Sequence, residues 1–473
     1  MQGVHHAKKT YTEGMSETFR TEHDTMGAVQ VPASALYGAQ TQRAAQNFPI
    51  SGLRMPREFL RALAIVKSAA ARANAQLGLL PEALASALQQ ASEEVLEGRH
   101  DAEFIVDIFQ TGSGTSTNMN INEVIATLAG RIANTRIHPN DHVNLSQSSN
   151  DVFPTALHVA AAESVHQRLI PAMDALHSAL DSKARQFWNI LKIGRTHLQD
   201  AVPIRLGQEF GGYAHQVALS RERLFAALEG IYELPLGGTA TGSGLNAPAG
   251  FAKIAIDHIS ERVRLPFCEA KDHFEAQASR DAAAFLSAAL KTYALALTKI
   301  ANDLRWLSSG PRCGLGELRL PETQPGSSIM PGKVNPVIAE SVLMVCAQVI
   351  GYDAAISWCC ASGNLELNTM MPVMAYDLLH SIELLANASQ NFADKCISGI
   401  DANEGRLSEL VERSLALCTA LTPEIGYERA AALAKKASVT GKTIREVAQE
   451  ESGIAPDRLA HLLDPWSMAG DNA

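Results

Sequence analysis

Five stretches of this chain carry apolar residues in a helical rhythm for longer than any loop or strand could sustain. In residues 275–309 the series Leu286, Leu290, Tyr293, Leu297, Ile300, Leu304 and Leu307 steps by four and three, and Gly310-Pro311 ends it. Residues 154–188 repeat the pattern with Leu157, Ala161, Val165, Leu169, Met173, Leu176 and Leu180, and Pro171 predicts a kink. Further helices are read over 206–230, 336–360 and 370–395. Helices of ~25–35 residues run ~40–50 Å, which makes the centre of the chain an elongated bundle. Strand signal is almost absent. The apolar content is broad and rich in alanine, which calls for more than one buried face per helix and so for packing in an oligomer. The fold class is all-α: an elongated central five-helix bundle with smaller N- and C-terminal domains.

The predicted divisions are an N-terminal extension over 1–14, an N-terminal domain over 15–146, the bundle domain over 147–400 and a small C-terminal helical domain over 401–473. Residues 22–43 are turn-rich and read as an irregular lead-in, followed by helix over 57–95. With 473 residues, 46% of them hydrophobic, the chain can bury a large core. Its formal net charge is −10 and no basic tract stands out, which argues against nucleic acid as a partner. An anionic ligand would be met by local cations and helix ends instead. The seven cysteines are odd in number and lack C-x-x-C spacing, so they read as reduced thiols of a cytoplasmic protein, with no disulfide framework and no iron–sulfur cluster. No apolar run approaches ~18 residues, so no membrane partner is expected. The first fourteen residues lack the apolar segment of a signal peptide.

Chemistry concentrates in four polar loops. The fullest is Gly326-Ser327-Ser328-Ile329-Met330-Pro331-Gly332-Lys333-Val334-Asn335-Pro336. Its glycines and prolines forbid regular structure, while Asn335 as N-cap and Pro336 as first helical residue open the next helix. Two hydroxyls, a lysine and an amide thus arrive at a helix N-terminus, which favours anions. The segment fails as a P-loop, because Val334 stands where Ser or Thr is required, and as a nucleophile elbow, because Ser327 lacks the second glycine. The second loop is Thr111 to Asn118, with Ser113, Gly114 and Thr115. The third is Asn144 to Asp151, with Ser148, Ser149 and Asn150. The fourth is Gly194 to Asp200, with Thr196 and His197. Each could be mere capping or loop solvation; together they form a set. His138 and His142 stand four apart, but Pro139 and Asn140 between them argue for a turn, and no metal site is predicted. The glycine-rich 236–246 segment follows no clear strand and reads as a connector.

The four loops resemble those of the fumarase/aspartase superfamily, whose signature is G-S-S-x-M-P-x-K-x-N, and the similarity runs from about Met26 to the C-terminus. The pattern is most similar to class II fumarate hydratases. Aspartases typically read R-T-Q-L-Q-D where His197 stands and P-A-K-V-N-P where Gly332 stands. The resemblance implies an all-α homotetramer whose active sites are shared between subunits, acting on L-malate and fumarate with no cofactor. It implies Ser327 as base and His197, paired with Glu340, on the acid side. Ser113, Gly114, Thr115, Ser148, Ser149, Asn150, Thr196, Ser328, Lys333 and Asn335 are then the substrate contacts. A second anion site is implied at His138, Pro139, Asn140 and Asp141. Two departures weaken it: Leu145 replaces a lysine found in many members, and Thr135 replaces a basic residue found in some. Competing readings are aspartate ammonia-lyase or another lyase of the superfamily, a catalytically silent crystallin-like protein, and an iron–sulfur fumarase. Intact Ser327, His197 and Lys333 argue against the silent scaffold.

Overall fold

The computed structural model describes residues 18–326 and 328–470. It is all-α in class. Strands among the described residues form five two-stranded ladders that brace loops and build no sheet core. The predicted extension over 1–14 lies outside the described residues.

The chain forms two compact units that alternate in sequence. The first holds the described residues up to Ser164 together with Leu228–Phe285 and Asp353–His380. Its lead-in corrects the sequence reading: 22–43 is not irregular but begins with a hairpin, Phe19–Asp24 against Gly27–Pro32. Val31 is buried, and Asp24 accepts the Met26 N–H at 2.9 Å to tighten the turn. The Arg20 guanidinium donates to Ala35 O and Tyr37 O, both at 2.7 Å, and ties the hairpin to the segment that leads into the first helix. Glu123 then caps that helix, Ala39–Asn47, accepting N–H groups from Gly38, Gln40 and Thr41 at 2.8, 3.0 and 3.1 Å. Helices Arg57–Gln76 and Glu82–Leu96 come next, with Ala62, Ala64, Ala70 and Ala73 wholly buried in the first. Alanine stripes of this kind let helices approach closely.

The predicted 154–188 helix is three pieces. Ser149–Ser164 is α-helical, Val165–Leu169 is a π turn, and Ile170–Gln186 is α-helical again. Pro171 cannot donate to the carbonyl four residues back, and the ladder re-registers just before it. The 275–309 stretch likewise divides into His273–Ala278 and Asp281–Leu307.

The second unit comprises Val165–Ala227, Leu286–Tyr352 and the described residues from Ser381 onward. Its helices interlock through buried hydroxyls. Tyr213 Oη donates to Asp303 at 3.0 Å, and Tyr293 Oη meets Ser389 Oγ at 2.6 Å. Phe187, Phe210 and Tyr213 stack edge to face beside them. Past 401 a separate cluster of Leu417, Leu421, Leu433, Ile444, Val447, Leu459 and Leu463 is packed under short helices. One of these helices opens with a capping box between Thr443 and Glu446.

Candidate active site

In the first unit two hydroxyl-bearing loops end at helix starts. Thr115 opens the helix Thr115–Ala133, and Gly114 before it has φ 75°. A Cβ on Gly114 would lie 2.0 Å from the Phe153 ring, so glycine is required both by dihedral and by space. Ser113 Oγ and Thr115 Oγ1 share a hydrogen bond at 2.7 Å across that glycine. Ser149 opens the helix Ser149–Ser164, with Ser148 O taking the first helical bond, from Val152 N, at 3.0 Å. The two starts are joined: Asn118 Nδ2 donates to Ser149 Oγ at 2.9 Å. Asn150 reaches the other way, its Nδ2 donating to Ala240 O at 2.8 Å.

Asp151, absent from the residues predicted by sequence, organises this corner. It is wholly buried. One carboxylate oxygen accepts Ser148 N at 2.9 Å, and the other accepts Gly237 N and Thr239 N, both at 3.0 Å. Burial pushes its carboxyl up to about 6, against the pull of those three N–H groups and of Lys67. The 236–246 segment is therefore more than a connector. It is held against the Ser148 turn by a buried carboxylate. The signal for this was an acidic residue inside an apolar helix.

His138, Pro139, Asn140 and Asp141 form the start of a π turn, Pro139–Val143. His138 Nδ1 accepts the Asn140 and Asp141 N–H groups at 3.3 and 3.2 Å, and His142 Nδ1 accepts the His138 N–H at 2.8 Å. Each imidazole thus engages its Nδ1 within the turn. Among the described residues no group of three or more His, Cys, Asp or Glu side chains is placed to hold a metal ion.

In the second unit the Thr196-His197 segment corrects the reading of a polar loop. It is the tip of a hairpin, Leu191–Thr196 against Gln199–Arg205. His197 and Leu198 form its two-residue turn, with φ 57° and 59°. Positive φ at both turn positions is the hairpin geometry that normally selects Asn-Gly. A histidine and a leucine there store strain, a mark of functional positions. The imidazole is exposed, and among the described residues His197 makes no side-chain hydrogen bond or ion pair. The hairpin is anchored below by charge. Glu317, wholly buried, pairs with Arg195 at 2.7 Å and Lys192 at 3.5 Å, and Lys192 also meets Glu209 at 3.1 Å.

The signature loop lies in the same unit. Ser327 falls outside the described residues. Asn335 is not the N-cap the sequence predicted, and Pro336 is not the first helical residue. The helix is Val337–Ala361, and Pro336 O accepts its first bond, from Glu340 N, at 3.0 Å. The Asn335 amide instead reaches back across the loop and donates to Gly326 O at 2.7 Å. That bond uses the amide's donor; its acceptor, Oδ1, takes no helical N–H among the described residues, so the side chain closes the loop and does not cap the helix. Ser328 and Lys333 are exposed and Glu340 is half-buried. Among the described residues Lys333 and Glu340 make no side-chain hydrogen bond or ion pair. Thus Ser113, Thr115, Ser148 and Ser149 are gathered in one unit, while Thr196, His197, Ser328, Lys333, Asn335 and Glu340 belong to the other.

Comparison with known proteins decides the family. A lyase family model matches residues 27–351, and a model described as the fumarase C C-terminus matches 417–470. A class II fumarate hydratase of Ralstonia nicotianae is 52% identical over 96% of this chain and 100% of its own length. The chain belongs to the class II fumarate hydratase family. A family member from Thermosynechococcus vestitus is also 52% identical, over 97% of this chain and 99% of its own. The crystal structure of a class II fumarase from Schistosoma mansoni superposes with a TM-score of 0.93 at 41% identity, covering 96% of this chain and 99% of that one. A Brucella melitensis fumarate lyase:delta crystallin, solved bound to cobalt, gives 0.92 at 45% identity, covering 96% and 100%. Membership of the class II fumarate hydratase family makes the chain a lyase with the all-α fold of that family.

Proposed function

We propose that this chain is a fumarate hydratase, interconverting L-malate with fumarate and water. The observation that carries the reading is 52% identity to a class II fumarate hydratase across 96% of the chain, with all four polar loops intact. The chemistry asks for what those loops hold. Removing the proton beside a carboxylate yields a carbanion delocalised into that carboxylate as a dianionic aci-acid. Donors and a cation aimed at its oxygens lower the barrier by about 3 kcal/mol each. Lys333 and Thr196 supply a cation and a hydroxyl. Ser113, Thr115, Ser148 and Ser149 supply hydroxyls at two helix starts, where the dipole favours anions. Asn335 braces the loop in addition to any substrate contact.

Ser327 takes the proton and His197, supported by Glu340, returns one to the departing hydroxide, which leaves as water. A serine needs a depressed pKa to act as base, and the Lys333 charge with the following helix start favours its ionised form. The bond electrons of C–H become the new C=C π bond as the C–O bond breaks, so no redox partner enters.

We further propose a homotetramer with active sites shared between subunits. The helices Asp281–Leu307 and Val337–Ala361 are long and apolar enough, by length and composition, to cross a membrane. Both leave large apolar side chains exposed, among them Phe285, Leu295 and Trp306 on the first and Met344 and Trp358 on the second. Other copies of this chain are the partners that would cover such faces.

The deciding experiment follows the ultraviolet absorbance of fumarate in chelator-treated protein given L-malate or L-aspartate. Fumarate from malate alone is expected. Fumarate from aspartate would overturn the specificity, and none from either would overturn the reading.

A further inference from the structure

We propose that Lys67 is a positioning residue: it sets the direction of a hydrogen-bond relay that makes Ser149 a donor to the substrate carboxylate. The substrate rests on the hydratase reading above; the relay stands on geometry. Lys67 sits in the middle of the Arg57–Gln76 helix, between Val66 and Ser68, and is 1% exposed.

An ammonium only donates. Lys67 Nζ donates to Asn144 Oδ1 at 2.9 Å and to Gln147 Oε1 at 3.0 Å. Both amides must therefore turn their oxygens toward it. Asn144 Oδ1, so oriented, accepts from Asn118 Nδ2 at 3.2 Å as well. Asn118 is thereby committed to presenting its NH2 on this side. The same NH2 donates to Ser149 Oγ at 2.9 Å. A hydroxyl whose oxygen accepts there has its proton left to point elsewhere. The order ammonium, amide, amide, hydroxyl thus has one polarity, and it ends in an O–H whose proton is available to a further acceptor. Anions are the ligands that such a donor suits. Relays of this kind strengthen each member by polarising the next.

Stability does not explain the lysine. Burial pulls its pKa down to about 7, opposed by the Asp151 charge, so the site disfavours the charged form. A methionine would fill the same space with no such penalty. What methionine cannot do is join the groups that orient Asn144, whose Oδ1 also accepts from Asn122 Nδ2 and whose Nδ2 donates to Gln147 O, both at 3.2 Å.

The test is steady-state kinetics and thermal unfolding of the full chain in three forms: wild type, Lys67→Met and Lys67→Gln. Lys67→Met is expected to raise KM for L-malate by about tenfold or more, the loss of one hydrogen bond to a charged group. Its kcat should change far less, the mark of lost binding that ground and transition states share. Its melting temperature should change little, the relieved burial of the ammonium offsetting the loss of the donor to Gln147 Oε1. Lys67→Gln keeps a donor toward Asn144 and is expected to recover part of the KM. An unchanged KM in Lys67→Met, or a raised KM that Lys67→Gln does not lessen, would overturn the relay. Should Lys67→Met not fold, Asn118→Ala cuts the bond to Ser149 while leaving Lys67 paired. It must then raise KM to a similar degree, and a normal KM overturns the proposal. Wild type without activity on malate would instead bring down the hydratase reading on which the substrate depends.

Discussion

His197 shows what a single residue carries in this chain. Its φ of 57° is one that asparagine tolerates better than most side chains. His197→Asn should therefore fold at least as well as wild type while losing the acid group. We expect kcat to fall by about 10²–10⁴, the usual worth of a general acid, with a melting temperature that is unchanged or slightly higher. Activity near wild type in a folded His197→Asn protein would remove the histidine from the mechanism. His158 is a contrasting case, buried with no catalytic task. Its Nδ1 is 2.9 Å from Glu233 O, and burial, reinforced by the Arg280 charge, pulls its pKa to about 4 from 6.5. The folded pKa lies below the unfolded one. Between pH 6.5 and about 4 the unfolded chain therefore takes up a proton that the folded chain refuses, and stability falls as the pH falls. The whole window is worth about 3 kcal/mol. Asp151, whose pKa is raised to about 6, works in the opposite sense over part of that range, so the effect must be read by difference. His158→Gln keeps a donor for Glu233 O. Its denaturation midpoint should drop less than that of wild type between pH 7 and pH 4.5; equal drops would assign the acid sensitivity elsewhere.

At the scale of elements, the helices were legible and the hairpins were not. The stretches read at 206–230, 336–360 and 370–395 are the helices Leu206–Ile231, Val337–Ala361 and Met371–Lys395. Their signal is local, an apolar stripe that repeats within a few turns. The Leu191–Arg205 hairpin had no such signal, for two reasons. Its turn is His197-Leu198, where a glycine or asparagine would have announced it. Its interior positions include Lys192, a charge that becomes tolerable only beside Glu209 and Glu317. Those partners are remote in sequence, so the pattern of burial could not be seen along the strand. The same holds in the candidate site. The loops were legible as motifs, and Asn118, Asn144 and Asp151 were read within them, but nothing local marked those three as the residues that orient the loops, and Lys67 looked like a stray charge in an apolar helix. The dependence of the hairpin on its charges is measurable. Glu317→Gln leaves Lys192 with Glu209 alone and Arg195 with only the more distant, largely exposed Asp200 at 3.6 Å. Breaking a buried pair in this way typically costs about 3–5 kcal/mol. We expect a matching fall in stability to denaturant and faster hydrogen exchange of the hairpin amides from Leu191 to Arg205. Exchange unchanged in the hairpin would mean that its pairing with the rest of the unit does not rely on Glu317.

The whole molecule poses the question of how loops so far apart in sequence act on one substrate. Thr196, His197 and Lys333 belong to one compact unit and Ser113, Ser148 and Ser149 to the other. The proposed tetramer answers by composing each site from several chains, and that arrangement has a consequence no single-chain site shares. Consider two inactive variants, Ser327→Ala and His197→Ala. In a site drawn from one chain, every site in a mixed population keeps one lesion. In a site that takes Ser327 from one subunit and His197 from another, a hybrid tetramer contains sites in which both positions are wild type. After the two variants are dissociated together and reassembled at equal amounts, random assortment restores about a quarter of the sites. Activity should therefore rise from nearly nothing to roughly that fraction of wild type, and the gain should vanish when the variants are reassembled separately and then mixed. Dissociation itself is testable through the faces that would be covered. Trp358, 74% exposed on the apolar helix Val337–Ala361, is one of the side chains the proposed assembly would cover. Trp358→Glu would place a charge in that proposed interface, at a desolvation cost that the interface must absorb. Light scattering should show smaller species for this variant at concentrations where wild type is a tetramer, with activity lost in proportion. A Trp358→Glu tetramer, or hybrids that stay inactive, would separate the two ideas: the first places the interface elsewhere, and the second returns Ser327 and His197 to one chain.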